Sequence, residues 1–236
     1  MGQIGVADLE RRLGSDRLDV RLGAIDALER IMIDSARDHP AIVELLAAFV
    51  RECAPAAASG PDLDAGGQPE RHPRPPADSQ TAVTVLARRP AGRTERGPVN
   101  LAGAHLAGAN LLHANLPGVV LTGAHLAGAN LFYANLPGAV LAGAHLAKAN
   151  LFHADLAGAD LSCADLTRAD LGCTNLARAT LAGSNLTLVN LTLADLTGAD
   201  LTGADLTEAA LDGADLPGVT LTREQQSAIL YTGATP

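Results

Sequence analysis

The chain has 236 residues, enough for one or two domains, yet aromatic residues make up only 2% and Trp is absent. A core here must be built from small aliphatic side chains, which argues against an ordinary globular domain and for a repeat architecture. A formal charge of −9 argues against phosphate-driven binding to nucleic acid or to an anionic membrane. Cys53, Cys163 and Cys173 form no pattern and no secretory signal opens the sequence, so a reduced, cytoplasmic setting is expected. The longest apolar run, residues 41–50, is short and carries Glu44, so no membrane span is expected.

Residues 1–53 read as a helical module. "VADLERRLG" suits a short helix ending near Gly14, and "DRLDVRLGAIDALERIMIDS" places Leu18, Leu22, Ile25, Leu28 and Met32 on one face. Asp38-His39-Pro40 opens a third helix carrying Ile42, Leu45, Leu46, Phe49 and Val50, with Pro40 tolerated in its first turn. Such a unit is small enough that it is expected to dock on something else. Residues 54–76, "APAAASGPDLDAGGQPERHPRPP", read as a flexible linker. Residues 77–96 read as a capping helix and lead-in, with Asp78 as N-cap and Val83, Val85 and Leu86 as apolar contacts.

From residue 97 to 222 one rule governs the chain. Leu occupies position 101 and every fifth position through Leu221, twenty-five in all, with a small residue two positions before each. A period of five cannot form a helical stripe, because each step turns about 140° at 3.6 residues per turn. Nor can it form one long strand, because alternate leucines would face opposite sides. Each five-residue unit must therefore hold a short extended piece and a turn, with Ala and Leu sharing the inward side. At many corners the two positions after the Leu read Ala-Gly, Thr-Gly or Pro-Gly, the last being the signature of a type II turn. Residues 101–120, 121–140 and 141–160 align as twenty-residue blocks, so four corners close one coil. Six coils stacked at about 4.8 Å give a rod roughly 30 Å long.

This tandem A(N/D)LxG pattern resembles the pentapeptide-repeat family over residues 97–222, and the resemblance implies a right-handed quadrilateral β-helix. The helical segment "DVRLGAIDALERI…DHPAIVELLAAFVRE" is similar to one that precedes such repeats in some actinobacterial proteins. The resemblance also implies two functions. One is a non-enzymatic scaffold that presents a rigid surface to another protein. The alternative is a DNA mimic that protects DNA gyrase from its inhibitors, since some family members do so. Some members also dimerise through their C-terminal ends, so a homodimer is an expectation here.

The polar residues before each Leu, such as Asn110, Asn130 and Asp170, are expected to satisfy turn backbone and stack in ladders. Ten carboxylates between residues 155 and 215 spread over all four faces, whereas a DNA mimic should concentrate them along one track. His105, His125 and His145 recur at twenty and should stack at about 4.8 Å. A parallel ladder does not converge on an ion, so no metal is expected, and mutual repulsion should depress protonation. Cys163 and Cys173 fall on different faces, so no disulfide is expected between them. No catalytic triad, phosphate loop or cofactor motif is present, and neither enzymatic activity nor a cofactor is expected.

The strongest contact candidate is the corner that follows Leu111. Its first outward positions are Leu112, Phe132 and Phe152; its second are His113, Tyr133 and His153. Apolar residues stacked in successive coils form a contiguous patch that marks either a protein contact or stacking between coils that stabilises the rod. Residues 223–236 read as a C-terminal helix and tail, in which Thr222 and Gln225 match a capping box. Ile229, Leu230 and Tyr231 give this helix an apolar side, either to cap the last coil or to meet a second copy.

Overall fold

A computed structural model describes residues 5–53, 74–93, 95–219 and 221–225. Four helices come first: α1 (Val6–Leu13), α2 (Leu18–Asp34), α3 (His39–Glu52) and α4 (Ala77–Ala87). α1 ends at Gly14, and Pro40 sits in the first turn of α3, where its missing N–H costs no helical bond. Ser35 Oγ donates to Asp38 Oδ2 at 2.8 Å and accepts the Asp38 N–H, which tightens the turn between α2 and α3. Ile25, Leu28, Met32, Ile42, Leu46, Val50, Val83 and Leu86 form the core of the bundle.

Two expectations for the helices need correction. Leu18, the first residue of α2, is exposed rather than core, and Ala24 joins the buried face instead. Asp78 does not cap α4, whose N-cap is Pro76. Its carboxylate lies in the first turn, buried, and binds Arg21 Nε of α2 at 2.5 Å. One carboxylate oxygen is taken by Arg21 between two helices, and the other accepts the Ser79 N–H inside the first turn. Of the expected linker, residues 54–73 lie outside the described residues.

Beyond Pro98 the chain winds in twenty-residue coils. Each side of a coil contributes a single bridging residue to a parallel ladder, as in His105–His125–His145–Asp165 and Asn110–Asn130–Asn150–Asp170. The extended pieces are so short that, among the described residues, the ladder consists of isolated bridges rather than strands. Hydrogen bonding is nonetheless dense. Leu106 N–H donates to His125 O, Gly108 N–H to Ala127 O, and Asn130 N–H returns to Ala109 O. Each turn closes with a bond such as Ala109 N–H to Leu106 O at 3.0 Å. The inward Leu and Ala columns are buried from Leu101 to Leu216. Thr174 and Ser184 replace Ala in the interior, and each hydroxyl is satisfied by a backbone carbonyl, Leu151 O and Leu181 O respectively.

The second turn position has φ near +60° throughout, which Gly103 and Gly138 adopt without cost. Eleven non-glycine residues hold the same conformation, among them Tyr133, Lys148, Cys163, Leu193 and Glu208. Each costs about 1 kcal/mol relative to glycine, and the surrounding ladder supplies the bonds that hold them there.

Both ends of the coil are covered by side chains that imitate a further coil. Gln80 of α4 accepts the Asn110 N–H and donates to the Asn110 carbonyl, both at 2.9 Å. Ala87 O accepts the Asn115 N–H, and Arg89 donates to Asn115 O while binding Glu95. Arg51 of α3 donates to the Asn100 carbonyl. At the other end, Thr222 and Gln225 form the expected reciprocal capping box, at 2.8 and 3.3 Å. Gln225 Nε2 then donates to both Leu201 O and Ala204 O, closing part of the last edge. Ile229, Leu230 and Tyr231 lie outside the described residues.

Candidate protein-contact surface

The corner after Leu111 brings the sequence-selected residues together in two columns. In the first column Phe132 and Phe152 stack at 5.8 Å with planes 8° apart. In the second, Tyr133 lies 5.5 Å from His113 and 4.8 Å from His153. The columns lock edge to face, Phe132 on Tyr133 and Phe152 on His153, each at 4.6 Å.

These six residues are not equally available. Leu112 and Tyr133 are 45% and 47% exposed, and His113 and His153 are exposed as well. Phe132 and Phe152 are half-buried. The reason lies one coil further on, where Gly172 is buried and a Cβ on it would meet the Phe152 ring at 2.8 Å. Phe152 leans along the rod axis and fills the place where a side chain at 172 would stand. Sequence reading missed one large apolar member of this corner. Leu193, 62% exposed, is the most exposed large apolar residue of the repeat region, and its side chain leans over Gly213 in the same way. The step of twenty from His153 through Cys173 to Leu193, with glycine at 172 and 213, is the signal that would have found it.

The polar ladders behave as turn-satisfying groups. Asn130 and Asn150 side chains accept the N–H groups of Phe132 and Phe152, and Asp160, Asp165 and Asp170 do the same for Ser162, Thr167 and Gly172. Asn135 donates to Asn115 Oδ1 at 2.7 Å, and Asn190 to Asp170 Oδ1 at 2.8 Å. Thr202 and Thr207 hydrogen bonds hold the Asp200 and Asp205 carboxyls below their ordinary pKa. The three histidines stack at 4.6 and 4.9 Å, and His125 is held below the usual imidazole pKa by burial, then by its two neighbours. No group of ligands suited to a metal ion occurs among the described residues. Cys163 and Cys173 are free thiols on different corners.

A second concavity lies in the helical module, a cleft of about 520 Å³ whose lining includes Leu13, Phe49, Cys53 and the Arg21–Asp78 pair. Burial and the nearby Asp78 carboxylate push the Cys53 thiol up to about 11, so it stays protonated and inert as a nucleophile. No helix among the described residues is long and apolar enough to cross a membrane.

A repeating unit of five, closed into coils of twenty around a Leu and Ala interior, defines the class of protein. The sequence profile described as "Pentapeptide repeats" matches in eight copies across residues 100–223, a little over half of the chain. The chain belongs to the pentapeptide-repeat family. No curated protein matches it. Solved structures similar to it include a pentapeptide repeat protein from the Arabidopsis thaliana thylakoid lumen, at 29% identity over 42% of this chain and 72% of that one, with a TM-score of 0.35. HetL from the cyanobacterium Nostoc sp. strain PCC 7120, involved in heterocyst differentiation regulation, is 35% identical over 52% of this chain and 63% of its own, TM-score 0.21. QnrB1, a plasmid-mediated fluoroquinolone resistance protein, is 20% identical over 56% and 84%, TM-score 0.29.

Proposed function

We propose that this protein is a non-enzymatic scaffold that uses the corner from Leu112 to Leu193 to hold another protein. One observation carries the reading: large apolar side chains stand exposed in register on a rod whose other outward positions are mostly Ala, Gly, Thr, Asn and Asp. The interior is already filled by the Leu and Ala columns, so Leu112, Tyr133 and Leu193 add nothing to it. Aligned apolar groups on a rigid backbone are pre-ordered, and little conformational entropy is lost when a partner covers them.

Photo-crosslinking in cells of the source organism tests this reading, with a benzophenone side chain at position 133 and a control at position 182 on a different corner. A partner captured at 133 and not at 182, and lost in a Leu112→Asp/Leu193→Asp variant, is the expected result. Equal capture at both positions, or none, overturns it. The competing DNA-mimic reading predicts protection of gyrase supercoiling from a fluoroquinolone at micromolar protein, and such protection would displace the scaffold reading.

A further inference from the structure

The Leu111 corner carries carboxylates as well as apolar side chains. Its two neighbouring ladders are Asn110, Asn130, Asn150, Asp170, Asn190 on one side and Asn115, Asn135, Asp155, Asn175, Asp195, Asp215 on the other. Asp212 stands in the corner itself. No Lys or Arg occurs at the corner or in either ladder, whereas Lys148, Arg168 and Arg178 occupy other corners. Among the described residues these carboxylates accept from neutral donors, Ala157 N–H and Asn175 at Asp155, Gly172 N–H and Asn190 at Asp170, and Thr197 N–H at Asp195. None of them takes part in an ion pair among the described residues. The aromatic side chains lie in the second and third coils and the carboxylates in the third to sixth, so acidic groups gather toward the C-terminal end of the corner, around Leu193.

The ridge is continuous, because Phe152 fills the place above Gly172 and a Leu193 methyl fills the place above Gly213. From Leu112 to Leu193 it runs four coil steps, about 19 Å at 4.8 Å per step. That length equals about 13 residues of α-helix at 1.5 Å per residue. A narrow apolar seam with Asp155, Asp195 and Asp215 along one side and Asp170 on the other has the charge pattern of one half of a helix-pairing interface, where acidic flanks select basic ones.

Resting on the contact reading above, we propose that the partner element is an amphipathic α-helix whose apolar seam lies along this corner. Its Lys and Arg residues flank the seam and concentrate at the end that meets Asp155, Asp170, Asp195, Asp212 and Asp215. The carboxylates supply the specificity and the ridge supplies the contact area.

Two labelled peptides of about 16 residues with the same Leu/Ile seam, one flanked by Lys and one by Glu, test the inference on the full chain by fluorescence anisotropy and circular dichroism. The Lys peptide should bind with a gain of helicity, at least about tenfold tighter than the Glu peptide in low salt. The difference should shrink at about 0.5 M NaCl, where screening is strong. A Tyr133→Asp/Leu193→Asp variant alters only exposed side chains and should weaken the Lys peptide by at least about tenfold. Equal binding of the two peptides, undiminished binding to the variant, or no binding at millimolar peptide each overturns the inference. If the crosslink at position 133 captures a partner through a segment that is not a basic helix, the scaffold reading stands and this one fails. If that crosslink captures nothing, both fall.

Discussion

His125 shows how a repeat makes one residue's chemistry depend on residues twenty positions away. Its ring lies between His105 and His145, and burial together with those two rings lowers its pKa below that of an ordinary imidazole. The unfolded chain, with an ordinary imidazole near 6.5, therefore binds more protons in the window between that value and the depressed folded one. Stability contributed by the neutral ladder is present above about pH 6.5 and falls as pH drops through the window, then levels off below the folded pKa. NMR titration should place the His125 midpoint below 6.5, and replacing His105 and His145 with Asn should move it upward. The urea midpoint of the protein should fall on acidification through this range, and His125→Asn should diminish that fall. A His125 midpoint at or above 6.5 contradicts the stacked geometry.

At the level of elements, the helical module is joined to itself and to the coil by a few charged and amide side chains set into an apolar background. The Arg21–Asp78 pair ties α2 to α4, with the Asp78 side chain only 3% exposed. Removing Arg21 alone leaves a carboxylate buried without its partner, so Arg21→Ala should cost about 3 kcal/mol. Replacing both, as Arg21→Met with Asp78→Leu, should recover most of the loss, because an apolar pair avoids the desolvation cost. Chemical denaturation of the two variants separates these outcomes, and equal destabilisation by both would show that the pair does not act as a unit. The sequence made α1, α2 and α3 legible through their apolar spacing and α4 through its composition. It did not reveal Asp78, because a carboxylate in a first turn reads as a cap until its partner, fifty-seven residues away, is seen. Likewise the half-burial of Phe152 depends on a glycine one coil away, a relation along the rod axis that linear spacing records only once the coil length is known.

For the whole molecule, each coil contacts only its neighbours, and stability is a sum of coil terms and interfaces between coils. The interior leucines were legible from the first repeat onward because a period of five, a corner every five residues and a buried column are one and the same constraint. What a leucine contributes, however, depends on where its coil lies. Leu156, fully buried with coils on both sides, should lose about 3–5 kcal/mol on Leu156→Ala. Leu216, in the last coil and 4% exposed, has neighbours on one side and should lose about half as much. Thermal unfolding of both variants checks the difference. Equal losses would show that the rod unfolds as one cooperative body rather than from its less covered end.

The use of Gln80 and Gln225 as substitutes for a missing coil fixes the molecule as an indexed screw. Each five-residue unit turns the chain by a quarter of a revolution, so inserting one unit between Phe152 and Leu193 would rotate everything beyond it by 90° relative to the α4 end. The apolar corner would then break into two segments pointing in different directions, although every interior Leu would remain in phase. The core tolerates growth in steps of five, but the surface tolerates it only in steps of twenty. The period that the interior enforces is therefore shorter than the period that a contact along one corner would need.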